Sequence, residues 1–198
     1  MASAEGADGS KKVEVKKANE WHMAILRAVT FLATASATIV MGLNKQTKTL
    51  VVATIGSTPV QATLTAKFQH TPAFVFFVAA NAMASLHSLL MLAVECFGGK
   101  FDLKGLRFVM IPILDMMTVA LVSGGASAAI FMGQLGKNGN KHARWNKTCD
   151  KFHTFCDHGQ GAFIASSAGL VLLIIITIMS ILKLRNYSSS FIIHSAVP

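Results

Sequence analysis

Residues Phe108 to Met132 read FVMIPILDMMTVALVSGGASAAIFM, an apolar run interrupted by one charge, Asp115. A bilayer core about 30 Å thick takes about 20 residues of helix, so the run is long enough to cross it. A carboxylate at that depth costs about 3 kcal/mol on insertion scales, so it faces a bundle interior and has a partner. Arg27, a few residues inside another apolar run, is the candidate partner.

Four segments meet the length requirement: roughly Met23 to Leu43, Ala73 to Cys96, Phe108 to Met132 and Ala162 to Leu182. The chain of 198 residues is 53% hydrophobic and 14% charged, with positive mean hydropathy, and a soluble domain of this size would not carry four such runs. The expected fold is an all-α membrane protein, a four-transmembrane-helix bundle over 23–182. A disordered cytosolic head (1–22) precedes it and a cytosolic tail (183–198) follows. Outer loops are expected at 44–72 and 133–161, and an inner loop at 97–107. The first run follows a polar head and lacks a convincing cleavage site, so it reads as a signal-anchor.

Orientation does not follow from charge totals. With the amino terminus inside, Lys11, Lys12, Lys16, Lys17, Lys100, Lys104, Arg107, Lys183 and Arg185 are cytosolic, against Lys45, Lys48, Lys67, Lys137, Lys141, Arg144, Lys147 and Lys151 outside. Three of the inner charges crowd the short loop 97–107, which favours that orientation. Cys149 and Cys156 share the second outer loop with six residues between them. A disulfide there suits a small closed loop and persists on an oxidising, non-cytosolic face. Cys96, alone at the end of the second span, reads as a small apolar filler or a juxtamembrane palmitoylation site.

The net charge of +9 does not indicate nucleic acid, since the lysines lie on both faces and no aromatic residues interleave with a basic stripe. Lys11, Lys12, Lys16 and Lys17 suit attraction to anionic inner-leaflet lipid. With both termini cytosolic, Arg27 lies about four residues into the first span and Asp115 about seven into the third, a difference in depth of about 5 Å. His87 falls in the same layer from the second span, and Glu95 falls near the surface. Two readings compete for this layer. One is a clasp between Arg27 and Asp115 that fixes helix register, with His87 satisfied locally. The other is a proton or ion path through Arg27, Asp115 and His87, as in a small transporter or proton-coupled channel.

Small residues recur on every span, and Gly124 with Ala128 has the small-xxx-small spacing that drives helix association in lipid. Pro112 is expected to bend the third helix. His142, His153 and His158 lie near the loop cysteines, but the spacings match no common zinc motif, and no metal, cofactor or catalytic constellation is expected. The chain therefore reads as a non-enzyme. Asn146-Lys147-Thr148 is an N-glycosylation sequon on the expected outer face. Asn186-Tyr187-Ser188 fits the same pattern but falls on the cytosolic side.

Arg27 in the first span, Asp115 in the third, FVFFVAANA at 74–82 and ARWNKTCDKFHTFC at 143–156 together resemble the Casparian strip membrane domain proteins and their CASP-like relatives of land plants. The combination of Trp145, Cys149, Phe152, Phe155 and Cys156 carries most of the likeness, which extends over about Trp21 to Leu184. The resemblance implies a MARVEL-like plasma-membrane protein that forms homo- and hetero-oligomers with related chains. Its founding members assemble immobile platforms that recruit extracellular cell-wall enzymes, including peroxidases. The first outer loop, Asn44 to Thr71, lacks the acidic and aromatic stretch of the barrier-forming members, so the likeness implies a CASP-like scaffold.

Overall fold

A computed structural model describes the backbone of residues 2–97 and 104–195, and the side chains of 21–96 (except 52 and 55) and 109–185. Its elements are α1 (Ala2–Gly42), β1 (Lys45–Ile55), β2 (Thr58–Lys67), a 3-10 turn (Phe68–His70), α2 (Pro72–Phe97), α3 (Lys104–Asn138) and α4 (His153–Ser195). Among the described residues, four helical segments are long and apolar enough to cross a membrane: Trp21–Gly42, Pro72–Cys96, Val109–Asn138 and His153–Arg185. In hydrocarbon no water can satisfy a peptide group, which is why each run closes its own hydrogen bonds as a helix.

The boundaries depart from expectation outside the hydrocarbon. Residues 2–22, expected as a disordered head, continue α1, because Lys, Glu and Ala propagate a helix that the span has already nucleated. Helix α4 begins at His153, well ahead of Ala162, and runs through the expected tail to Ser195. Helix α3 passes through Pro112 as one element to Asn138. Part of the expected inner loop, 98–103, lies outside the described residues.

The segment 44–72, expected as an outer loop, departs most, because it holds a β-hairpin. Strands β1 and β2 pair antiparallel around a two-residue turn at Gly56 and Ser57, with an irregularity between Val51 and Ala53. Thr47 faces Thr65 and Thr49 faces Thr63, and the paired hydroxyls bond at 3.0 and 3.2 Å. β-branched residues suit such cross-strand pairs.

Helix α1 packs on α2 and α4, and α3 packs on the same two, so α1 and α3 oppose each other across the bundle diagonal. Lipid is as apolar as leucine, so close van der Waals contact and hydrogen bonding hold the helices together. A Cβ added at Gly125 would lie 3.0 Å from the Ala80 Cβ and 3.3 Å from the Phe77 Cα. That approach, with Ala129 buried one turn on, is the small-residue contact between α2 and α3. The expected Gly124–Ala128 face is displaced by one residue: Gly124 is exposed and meets only the Phe76 ring. Thr30, Thr34 and Thr38 donate to carbonyls within α1, so their hydroxyls are satisfied without water.

At the hairpin end, Phe74, Phe77, Phe152 and Phe155 gather with Met41 into an apolar cluster. Asn44 Nδ2 donates to the Phe155 carbonyl at 2.7 Å, and Gln46 Oε1 accepts from the Phe155 amide at 2.9 Å. The first amides of a helix have no partner within it, so Gln46 supplies one from the hairpin. The opposite end of the loop is closed by Gly139, whose positive φ of 67° ends α3. A Cβ at Gly139 would stand 2.7 Å from the Trp145 carbonyl oxygen.

Candidate functional site

Among the described residues, a cluster of charged side chains from α1, α2 and α3, completed by a hydroxyl from α4, sits in the interior of the bundle. Arg27 from α1 donates through Nη1 to Asp115 Oδ1 at 3.1 Å and through Nη2 to Oδ2 at 3.0 Å. This is the bidentate fork that guanidinium and carboxylate geometries favour. The contact crosses the bundle diagonal from α1 to α3. Arg27 is 1% exposed and Asp115 0%.

Three further groups complete the cluster. His87 Nε2, from α2, lies 2.7 Å from Asp115 Oδ1. A carboxylate only accepts, so that nitrogen carries the proton. Ser180, from α4, donates its hydroxyl to Asp115 Oδ2 at 3.1 Å. Glu95, also from α2, accepts from Arg27 Nε at 2.9 Å, its side chain 29% exposed. The sequence brought Arg27, Asp115 and His87 into one layer, and the structure places them in contact. Glu95 and Ser180 were missed as partners. The signal for Glu95 was its spacing of two helical turns from His87, which puts both on one side of α2. Ser180 carried no signal that separates it from the other small hydroxyls.

A second buried polar contact lies nearer the hairpin end of α2, where Ser166 donates to Asn81 Oδ1 at 2.9 Å and Asn81 Nδ2 donates to the Phe77 carbonyl. At the hairpin end, Cys149 and Cys156 form a disulfide with Cα atoms 5.7 Å apart. It ties the loop to the first turn of α4 while Thr148 and Cys149 amides donate to the Gly136 carbonyl at the end of α3. Asn146 is exposed beside this knot, and Cys96 is an exposed free thiol at the far end of α2.

A family model described as the Casparian strip membrane protein domain matches residues 16–172, which include Arg27, His87, Glu95, Asp115 and both loop cysteines. The chain belongs to the Casparian strip membrane protein family. CASP-like protein 1B2 of Populus trichocarpa is 69% identical over 168 residues, 85% of this chain and 84% of that one. CASP-like protein 1B1 of the same species is 70% identical over 168 residues, 85% and 86% of the two chains. CASP-like protein 1B2 of Vitis vinifera is 61% identical over 181 residues, 90% and 89%. No solved structure matches. The family model ends at residue 172, so Ser180 lies in the part of this Casparian strip family chain that the model does not reach.

Proposed function

We propose that the protein is a non-enzymatic scaffold of the plasma membrane, with both termini cytosolic, that associates laterally with copies of itself and with related CASP-like chains. Its outer cap of hairpin and disulfide-tied loop is the docking face for cell-wall-modifying partners, and Asn146 is the glycan site on that face. The observation that carries this reading is the closure of the charge cluster. Both oxygens of the buried Asp115 are engaged, by Arg27, His87 and Ser180, so no acceptor stands open to a passing proton or ion. A pathway residue would face a water-filled cavity, whereas this one locks four helices into one register. Lateral association is supported by Gly124 and Ser127 on the exposed side of α3, where small residues let a neighbouring backbone approach. The stiffness of the cap comes from the disulfide and from the Asn44 and Gln46 bonds to Phe155.

The test is the lateral mobility of a fluorescent fusion in a plant plasma membrane, measured together with cross-linking between differently tagged copies. Slow, patch-like diffusion with copy-to-copy cross-links is expected. Free diffusion of monomers accompanied by a proton or ion flux would overturn the scaffold.

A further inference from the structure

A cleft of about 510 Å³ opens between the last turns of α3 and the first turns of α4, beneath the disulfide. That is the size of a small-molecule site. Its lining changes character along the bundle axis. The part farthest from the loop is formed by Ile130, Phe163 and Ile164, with Ser167 beyond them, its hydroxyl donating to the Phe163 carbonyl. One to two turns nearer the loop, Gln134, Lys137 and Gln160 stand at the mouth, while Met41, Phe74 and Phe155 keep the inner wall apolar. Lys137 is seven residues along α3 from Ile130, about 10 Å at 1.5 Å per residue. Ile164 is 65% exposed and Ile130 36%, so the cleft opens sideways on the surface that spanning helices present to lipid.

We infer that the cleft holds one phospholipid of the surrounding leaflet, with an acyl chain between Ile130 and Ile164 and its phosphate at Lys137. The apolar part lies at hydrocarbon depth, where acyl chains are the abundant occupants and where water would leave its hydrogen bonds unmade. The polar part begins where a headgroup begins. An ammonium on a flexible stem serves as a point-charge phosphate ligand, and Gln134 and Gln160 supply amide donors for the phosphate or glycerol-ester oxygens. The back wall is fixed in shape: the Phe163 ring meets Phe77 edge-on at 5.5 Å and Phe74 at 6.2 Å. Gly133 leaves room for that ring, since a Cβ there would stand 2.8 Å from Phe163 Cε2.

The experiment uses the full chain in nanodiscs doped with a phospholipid that carries a diazirine near the end of one acyl chain, with adducts located by mass spectrometry after irradiation. Adducts in 130–134 and 159–167 are expected to exceed, at least threefold, those on the equally lipid-exposed Met83 and Leu86 of α2. Ile164→Trp fills the cleft from a lipid-facing position, so it should bring cleft labelling down to the α2 level. Lys137→Glu should lower labelling by the phospholipid but leave that by a matching phosphate-free diacylglycerol probe unchanged. An unchanged α2 yield and an intact disulfide in both variants establish that they fold. Equal labelling of cleft and α2 face, no effect of Ile164→Trp, or a Lys137→Glu variant that binds the phospholipid probe normally would each overturn the assignment. So would a sterol that survives purification in the cleft and excludes the phospholipid probe.

Discussion

A guanidinium buried among helices needs an acceptor for each of its edges, and Arg27 finds them on Asp115 and Glu95. Removing one partner of a buried pair strands the other, at a cost of about 3–5 kcal/mol by analogy with soluble proteins. Arg27→Leu and Asp115→Leu are each expected to lower thermal stability and surface export by that order, and the double substitution should recover much of the loss. Glu95→Gln should cost less than either, because that side chain is part-exposed and water can take its place. The measurement is melting temperature in detergent beside surface biotinylation. A transport site predicts the opposite pattern: Asp115→Asn reaches the surface at wild-type level, loses flux, and the double variant rescues nothing. The charge pair was legible because a charge in an apolar run is conspicuous. Glu95 was harder to place because, near the end of its span, solvent offered an equal alternative.

Helix contacts in lipid are decided by which face of a helix turns inward, and successive residues differ by 100°. The repeated small residues of α3 therefore specify that a close approach exists without specifying which of Gly124 and Gly125 makes it. Gly125→Leu drives a side chain into Ala80 and the Phe77 backbone and should cost about 3 kcal/mol, in the range of overpacked cores. Gly124→Leu meets only the movable Phe76 ring and should cost under about 1 kcal/mol. A larger loss from Gly124→Leu than from Gly125→Leu, in thermal unfolding followed by helical circular dichroism, would return the contact to Gly124. The hairpin was missed for a different reason. Val60, Ala62, Leu64 and Ala66 alternate with Gln61, Thr63, Thr65 and Lys67, a period-two signal, but the stripe is built mostly of small or exposed residues and stands beside four far longer apolar runs. The loop cysteines give a sharper test. A thiol reagent should label Cys149 and Cys156 after reduction alone, and replacing either should loosen the outer loop while leaving all four spans inserted. Labelling of both in the untreated protein would rule the bridge out.

Across the whole molecule, hydropathy carried the span count because burial in lipid is imposed residue by residue, whereas the helical extensions beyond the membrane depend on what the spans nucleate. Orientation remains the property that the amino-acid composition constrains least, with nearly equal Lys and Arg on either side. Protease or a membrane-impermeant tag added to intact cells should reach the loops around Thr58 and Asn146 and spare both ends of the chain. Modification of Lys11 or Lys12 from outside would invert the topology.

The bond from Arg27 to Asp115 joins residues 88 positions apart, and that separation has a meaning in time. At about 5–20 residues per second of synthesis, the arginine is made about 4–18 s before its carboxylate exists. Glu95, 68 positions on, emerges earlier and offers the first opposite charge. Until the third helix is made, Glu95 is the one carboxylate of this cluster that exists to meet Arg27. A slowdown of translation between Arg27 and Asp115 would lengthen the interval in which the nascent chain is open to quality control.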